Sequence, residues 1–156
     1  QERTQVSAVV RAAVPGDEGA IFGFIRGLAE YEKLQFQLTG TEQELREHLF
    51  GERPCVEAAV AVIDGEIVGY ALWFQTYSTF RTKPGIWMED LFVDPVWRSK
   101  GIGKQLLQYV LDIGEARGCA RVEWSVLDWN EHAIKFYESI GAHILPAWRI
   151  CRIERV

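Results

Sequence analysis

Four stretches of the chain space their apolar residues as amphipathic helices do, with repeats three and four positions apart. The first follows Asp17, a residue type that often begins a helix, and it carries Ile21, Phe24, Ile25, Leu28 and Ala29. The second opens on Thr41, with a glutamate three residues later in the pattern of a capping box, and ends near Phe50. The other two span Gly101 to Gly118 and Glu131 to Ile140, and the glycines Gly118 and Gly141 mark their ends.

The intervening stretches are short, rich in Val, Ile and Ala, and bounded by turn residues, which is typical of strands. Asp64-Gly65 separates two of them and is the strongest hairpin signal in the sequence. The hairpin implies antiparallel pairing, and the strand–helix–strand passages imply some parallel pairing, so we expect a mixed α/β sheet. The predicted strands are Val6–Val14, Val56–Ile63, Glu66–Gln75, Ile86–Val93, Val122–Leu127 and Trp148–Ile153, with a loop over Tyr77–Lys83.

Composition narrows the class of protein. The chain has 156 residues, 48% of them hydrophobic, which suits a single domain over residues 1–156. Its net charge of -5 disfavours a nucleic-acid partner and fits a cationic one. No apolar run approaches the roughly 18 residues of a membrane span, and the first residues show no signal-peptide pattern. Cys55, Cys119 and Cys151 have no metal-binding spacing, so we expect reduced thiols in a cytoplasmic protein without a metal site.

The most informative segment joins a predicted strand to the third helix and runs from Arg98 to Lys104, with glycines at 101 and 103. Glycines let backbone N–H groups approach an anion, and the helix that follows directs the positive end of its dipole to the same place. The spacing fits neither a P-loop nor a dinucleotide fingerprint, because Gln105 follows Lys104 and Leu106 stands where the fingerprint needs Gly or Ala. Taken alone, the segment fits a diphosphate loop and an ordinary glycine-rich turn equally well.

Two runs of the sequence resemble the GNAT superfamily of N-acetyltransferases. Met88 to Gly103 resembles its acetyl-CoA signature, in which a strand leads to Arg/Gln-x-x-Gly-x-Gly/Ala at the start of a helix. Trp129 to Ala142 resembles its second signature, in which Asn precedes a short helix with Phe-Tyr and then Gly. The resemblance implies an α/β fold with a mixed, mostly antiparallel sheet of six to seven strands and about four helices. It also implies acetyl-CoA as the acetyl donor.

A narrower likeness covers nearly the whole chain. Leu28–Glu32, Glu89–Val93, Trp129–Glu131 and Trp148–Arg149 resemble the diamine acetyltransferases, a group that includes the spermidine/spermine and thialysine acetyltransferases. This likeness implies transfer of an acetyl group to a primary amine of a small cationic acceptor such as a diamine, a polyamine or a lysine analogue. The loop Thr76–Lys83 differs from the animal members of the group, so the sequence does not name the acceptor.

The reaction requires a base for the amine and an acid for the CoA thiolate. Glu89 is the candidate base, because apolar strand neighbours raise the pKa of a carboxylate, whereas Asp90 would face the other side of a regular strand. The resemblance implies Tyr137 as the acid and a backbone N–H near Phe92 as the oxyanion donor. It also implies that the donor is bound by Tyr137, by Asn130, which fits a helix N-cap as well, and by Leu91, Phe92, Val93, Arg98, Ser99, Lys100, Gly101, Ile102, Gly103 and Lys104.

Acceptor binding is predicted for Tyr31, Glu32, Glu89 and Asp90, since carboxylates beside an aromatic face suit an ammonium group. A solvated helix end explains Tyr31 and Glu32 equally well, and Tyr137 also fits a core tyrosine. Two other functions stay open: a catalytically silent acyl-CoA-binding module and a protein-lysine acetyltransferase. The joint presence of Glu89 and Tyr137 favours the enzyme, and the acidic segment at Tyr31 favours a small acceptor.

The last predicted strand, Trp148–Ile153, alternates apolar and basic residues at the end of the sequence. A strand at the edge of a sheet tends to be paired or covered. Members of the resembled group form dimers, so we expect a homodimer that buries part of this strand; an internal edge strand without a partner is the alternative.

Overall fold

The computed structural model describes residues 7–155, whose contacts group into two compact units. The first unit runs up to Trp124 and the second begins at Ser125. In chain order the helices and strands are β1 (Val9–Ala12), α1 (Glu18–Tyr31), α2 (Glu42–Phe50), β2 (Glu57–Ile63), β3 (Glu66–Ser78), β4 (Lys83–Val93), α3 (Ile102–Ala116), β5 (Val122–Glu123) and α4 (Glu131–Ser139). Of these described elements, α4 alone belongs to the second unit.

The strands form one sheet in the order β1-β2-β3-β4-β5. The first three pairings are antiparallel, whereas β4 and β5 pair in parallel through Ile86–Val122 and Trp87–Glu123. The predicted mixed, mostly antiparallel sheet with four helices is therefore confirmed. Within residues 7–155 the sheet has five strands rather than the six to seven expected.

The missing strand is Trp148–Ile153, where the prediction is wrong. None of its residues is in a strand, and Trp148, Ile150 and Ile153 are 79%, 71% and 97% exposed. Alternating apolar and basic residues favour an extended backbone, but a strand forms only where a neighbouring backbone completes its hydrogen bonds. Among the described residues, no strand pairs with this segment.

Several strand boundaries also differ from the predicted ones, because pairing with a neighbouring strand determines where a strand ends. The predicted strand Val122–Leu127 is limited to two residues, and Val6 of the first predicted strand lies outside the described residues. The predicted loop Tyr77–Lys83 shrinks to residues 79–82, because Tyr77 pairs with Pro84 and Ser78 with Lys83 at the ends of β3 and β4. Pairing between two long strands thus places residues in the sheet that their polar character predicted to be loop.

Local signals placed several elements correctly. Asp64 and Gly65 both have positive φ, +50° and +79°, as the tight turns favoured in hairpins require. Thr41 caps α2, and its side-chain oxygen accepts the Glu44 N–H at 3.2 Å. Asp17 precedes α1 as predicted, but its carboxylate instead accepts the Val14 N–H and pairs with Arg11.

Helices cover both faces of the sheet. On one face, Ile21 of α1 and Leu49 of α2 pack in a core with buried residues of β2, β3 and β4, namely Ala58, Val60, Tyr70, Leu72 and Phe92. On the other face, Tyr109 of α3 lies against Trp73, with ring centroids 6.2 Å apart. Leu72 and Trp73 are adjacent on β3, and their side chains pack on opposite faces of the sheet because side chains alternate along a strand.

Candidate active site

One irregularity in the sheet organises the candidate site. Leu72 pairs with Asp90, but the next residue of β3, Trp73, pairs with Met88, so Glu89 is an extra residue in β4. Such a β-bulge bends its strand and changes the direction in which the following side chains point. The alternation expected for a regular strand therefore does not hold at Glu89 and Asp90.

The bulge corrects the expectation that Glu89 and Asp90 act on opposite sides of the strand. The Tyr70 hydroxyl donates to Asp90 Oδ2 at 2.8 Å, and the indole Nε1 of Trp87 donates to Glu89 Oε2 at 3.0 Å. The charges of Glu89 and of Glu32, which follows α1, both act on Asp90. We call Glu32, Glu89 and Asp90 the acidic cluster, because each carboxylate interacts electrostatically with the others.

The acidic cluster raises the pKa values of Asp90 and Glu32. Burial, reinforced by the charges of Glu89 and Glu32, raises the pKa of Asp90 to about 6, against the hydrogen bond from Tyr70, which lowers it. Burial and the charge of Glu89 likewise raise the pKa of Glu32. Both shifts result from holding like charges together away from water, an arrangement that a bound cation would relieve.

The end of α1 adds to this negative potential. The helix ends at Tyr31, and Glu32 is its C-cap residue, so the last carbonyl groups of α1 lie close to Glu32. A helix C-terminus carries partial negative charge and favours cations. Tyr31 is 41% exposed and contributes an aromatic face at the same helix end.

Arg98 connects this helix end to β4. Its guanidinium carbon lies 4.9 Å from the ring centroid of Tyr31 and 5.2 Å from that of Phe92. Its Nε donates to the carbonyl oxygen of Val93 at 3.0 Å. Arg98 was predicted to add charge to a phosphate loop, and the structure gives it a further part in holding the start of that loop against Tyr31 and β4.

The predicted phosphate loop has the backbone of an anion site. Ser99 and Gly101 have φ of +61° and +86°, and the first α-helical hydrogen bond of α3 runs from Gln105 N to Gly101 O. The N–H groups of residues 102–104 therefore have no acceptor within the helix and lie at its positive end. Open space adjoins Gly101, where a Cβ atom would meet nothing within 4 Å. These features fit a diphosphate.

The edge of β4 that faces β5 is largely unpaired in the described sheet. The parallel ladder consists of the pairs at Ile86 and Trp87, so the remainder of β4, including Leu91, Phe92 and Val93, has ladder partners on β3 only. Backbone groups on such an edge can bind the amide groups of an extended ligand, as an added strand does.

The two remaining predicted residues belong to the second unit. Asn130 precedes α4, and its Oδ1 accepts the Ala133 N–H at 3.3 Å, so it is a helix N-cap. Tyr137 lies on α4, with its ring centroid 5.5 Å from that of Phe136.

The described part of the chain shows neither a metal-binding cluster nor a membrane-spanning helix. Across residues 7–155, no group of three His, Cys, Asp or Glu side chains is arranged to hold a metal ion. In the same residues, no helix combines the length and apolar character needed to cross a membrane.

Residues 25–142 match the model of the acetyltransferase (GNAT) family. The chain belongs to the GNAT acetyltransferase family. This N-acetyltransferase is 38% identical to the thialysine N-epsilon-acetyltransferase of Bos taurus, over 94% of this chain and 92% of the relative. It is 30% identical to the L-ornithine N5-acetyltransferase of Arabidopsis thaliana, over 92% of this chain and 83% of the relative.

Solved structures agree with the fold of this acetyltransferase. An integron cassette protein of V. cholerae superposes with a TM-score of 0.79 at 27% identity, over 96% of this chain and 94% of that one. A ribosomal-protein-alanine N-acetyltransferase from Brucella melitensis superposes with a TM-score of 0.74 at 20% identity, over 94% and 100% of the two chains. At that identity the second likeness speaks for the fold alone.

Sequence reasoning did not identify Tyr70 as a hydrogen-bond partner of the acetyltransferase's acidic cluster. Tyr70 lies in an apolar strand, where its pattern indicates a core residue, and it is fully buried. Only the pairing of β3 with the bulged β4 brings its hydroxyl to Asp90. No local motif carries that information.

The ionised carboxylate of Asp90 should lower the stability of the folded acetyltransferase at neutral pH. Its folded pKa of about 6 exceeds its ordinary value of 3.8, so the folded protein binds this proton more tightly. The stability contributed by the protonated carboxyl is complete below pH ~4 and is lost as the pH rises through about 6. Asp90→Asn keeps an acceptor for Tyr70 without the charge. It should therefore raise the free energy of unfolding at pH 7.5 by on the order of 1–3 kcal/mol.

Urea unfolding at pH 4 and pH 7.5 measures this difference, and the gain should vanish at pH 4. The exposed residue Asp112 on α3 gives the matched control, because Asp112→Asn should change stability little at either pH. An equal effect of Asp90→Asn at both pH values would show that the charge of Asp90 is not the cause.

Proposed function

We propose that this enzyme transfers the acetyl group of acetyl-CoA to a primary amine of a small acceptor that carries a second cationic group. The acidic cluster is the observation that carries the proposal. Glu32, Glu89 and Asp90 interact at the C-terminal end of α1, where the helix dipole also favours cations. A diamine, a polyamine or a lysine analogue offers two charges to such a site.

The relatives support this class of acceptor. Two of them are named for thialysine and for L-ornithine, which are both small amino acids with a second amine on the side chain. A third relative, from Homo sapiens, is named a spermidine/spermine N(1)-acetyltransferase-like protein and is 27% identical over 94% of this chain and 22% of the relative. The compounds in these names each have a primary amine and at least one other cationic group.

Glu89 would accept the proton that the attacking amine must lose, either directly or through water. An alkylamine with a pKa of about 10 is mostly protonated at neutral pH, so a nearby carboxylate promotes formation of the neutral nucleophile. The amine adds to the thioester carbonyl and forms the C–N bond, and the tetrahedral adduct then breaks its C–S bond to release the CoA thiolate. Tyr137 would give its phenolic proton to the departing thiolate, and a backbone N–H near Phe92 would stabilise the oxyanion.

The donor would lie along the unpaired edge of β4 and the loop that follows it. Leu91, Phe92 and Val93 supply backbone groups for the pantetheine amides, and Asn130 would hold the same arm. The diphosphate would bind the N–H groups at the start of α3, helped by charge from Lys100 and Lys104. The loop contacts come from Arg98, Ser99, Lys100, Gly101, Ile102, Gly103 and Lys104.

An acceptor panel tests the proposal. Thiol release from acetyl-CoA should be fast with diamines and lysine analogues, slower with monoamines, and slow with lysine peptides. Glu32→Gln should raise KM for a diamine by roughly tenfold, equivalent to about 1.4 kcal/mol, and should change KM for a monoamine less. Glu30→Gln is the matched control, because Glu30 is an exposed carboxylate two positions earlier on α1.

Each alternative has its own outcome in this panel. Release with lysine peptides alone would indicate a protein-lysine acetyltransferase, and binding of acetyl-CoA without release would indicate a silent module. Equal turnover of a diamine and a neutral-tailed monoamine, unaffected by salt, would refute the dicationic acceptor.

Gly103→Val should weaken binding of acetyl-CoA far more than Lys104→Ala. A valine side chain would occupy the space through which a phosphate reaches the amides of the helix start, whereas Lys104 is exposed and adds only a screened charge. Within the protein itself, a Cβ at 103 would make ordinary contact with Val93 at 3.8 Å, so the fold should tolerate the change. Calorimetry gives the two affinities, and normal affinity in the valine variant would rule out the diphosphate at this loop.

Tyr137→Phe should lower kcat by about 100-fold, a typical loss for one acid–base group, while the dissociation constant of acetyl-CoA stays nearly the same. The phenylalanine retains the ring that lies beside Phe136 and removes only the proton donor. Single-turnover kinetics isolates the chemical step. Wild-type rates in the variant would reduce Tyr137 to a packing residue.

We propose further that the enzyme is a homodimer that buries the segment around Trp148–Ile153. The exposure of Trp148, Ile150 and Ile153 in the isolated chain supports this, because several large apolar side chains in one exposed segment favour an interface. Light scattering at micromolar concentration should give twice the 17.8 kDa of one chain, and a mass of one chain would contradict the proposal.

A further inference from the structure

The hydroxyl group of Tyr70 is a polar atom placed deep in an apolar core. Tyr70 is fully buried, and its ring centroid lies 6.4 Å from that of Phe24 and 6.4 Å from that of Phe92. A phenylalanine would supply nearly the same volume without a polar atom that needs a partner. The partner of the hydroxyl is Asp90, whose Oδ2 accepts at 2.8 Å.

The regular register that follows the bulge brings these two side chains to the same face of the sheet. Phe92 is the direct partner of Tyr70 in the ladder, so Asp90 is its diagonal neighbour two residues earlier on β4. Asp90 and Phe92 both lie on the face covered by α1, where the ring of Phe92 contacts Phe24 and Tyr70. The Tyr70 hydroxyl thus occupies one side of a carboxylate that interacts with Glu32 and Glu89.

We propose that Tyr70 is a positioning residue: its buried hydroxyl holds the Asp90 carboxylate in the acidic cluster, ionised and fixed in orientation, to bind the second ammonium group of the acceptor. This inference rests on the proposed function, because it assumes a dicationic acceptor. It assigns Tyr70 no contact with the acceptor or with acetyl-CoA.

The charges around Asp90 explain why such a residue is needed. Burial raises the pKa of Asp90, and the carboxylates of Glu89 on β4 and Glu32 after α1 raise it further, whereas the Tyr70 hydrogen bond lowers it. The guanidinium of Arg98 lies over the rings of Phe92 and Tyr31. Without the Tyr70 hydroxyl, Asp90 would be protonated in a larger share of molecules at neutral pH.

The hydrogen bond also keeps Tyr70 a donor. Burial and the charge of Asp90 raise the pKa of Tyr70 well above its ordinary value, so the phenol stays protonated throughout the physiological pH range. The direction of the bond is therefore fixed: Tyr70 donates and Asp90 accepts. A carboxylate that accepts such a bond keeps its other oxygen available for an ammonium group.

The proposal predicts a pH-dependent defect in Tyr70→Phe. With the hydroxyl removed, the pKa of Asp90 should rise by about one unit, the effect of one hydrogen bond to a charged group. The KM for 1,4-diaminobutane, relative to wild type, should then be roughly three- to tenfold higher at pH 6 and within about twofold at pH 9. Taking the ratio to wild type cancels the titration of the acceptor's own amines.

Two measurements test the proposal together. Carboxyl ¹³C titration by NMR reports the pKa of Asp90 in wild type and in Tyr70→Phe, without any substrate. Steady-state kinetics at saturating acetyl-CoA from pH 6 to pH 9 reports KM and kcat. Tyr109→Phe is the matched control, because Tyr109 lies against Trp73 on the other face of the sheet, and both readouts should match wild type.

The expected result is a raised Asp90 pKa together with a KM ratio that falls as the pH rises, while kcat at pH 9 stays near wild type. In an Asp90→Asn background, Tyr70→Phe should have no pH-dependent effect. An unchanged Asp90 pKa, or a KM raised equally at every pH, would overturn the proposal and leave Tyr70 a packing residue. If wild type acetylates no amine, the proposed function fails and the recognition role with it, while the NMR titration still measures the coupling of Tyr70 to Asp90.

Discussion

One extra residue in β4 is the constraint on which the candidate site depends. In a regular strand, Glu89 and Asp90 would point to opposite faces of the sheet. Because Trp73 pairs with Met88 and Leu72 with Asp90, both carboxylates interact with Glu32 at the end of α1. The bulge thereby concentrates three acidic groups at one place.

Such a concentration of like charge opposes folding, and the structure limits its effect by protonation and by hydrogen bonds. The pKa of Asp90 rises to about 6, mainly through burial, and its carboxylate receives the Tyr70 hydroxyl. The Glu89 carboxylate receives the Trp87 indole N–H. Groups with strongly perturbed pKa values cluster at functional sites. A ligand of opposite charge can offset the electrostatic repulsion among such groups there. A dicationic acceptor would do so here.

The sequence predicted those parts of the fold that local chemistry decides. The Asp64-Gly65 turn needs two residues with positive φ, and Thr41 needs only the helix that follows it. In the loop before α3, Gly101 stands at a position with positive φ. The two signatures of the family are local in the same sense, because each lies within one continuous stretch of the chain, and the family they indicate is confirmed.

Non-local pairing decides the remainder, and the sequence did not reveal it. The bulge at Glu89 arises from the register of β4 against β3, and the contact of Tyr70 with Asp90 follows from that register. The sequence predicted Arg98 as a phosphate-binding residue from its charge alone. The structure also places its guanidinium group over the rings of Tyr31 and Phe92. Trp148–Ile153 has the alternation of a strand but no strand beside it among residues 7–155.

The central claim is that the acidic cluster binds an acceptor with two positive charges. Calorimetric titration of 1,4-diaminobutane into the enzyme with CoA, at pH 6 in two buffers of different ionisation enthalpy, tests it most directly. Asp90 is about half protonated at that pH, so binding should release a fraction of a proton, and Asp90→Asn should reduce that release. The account predicts that 1-aminobutane binds about tenfold more weakly or worse. Equal affinity for the two amines, with no proton released by the diamine, would contradict it.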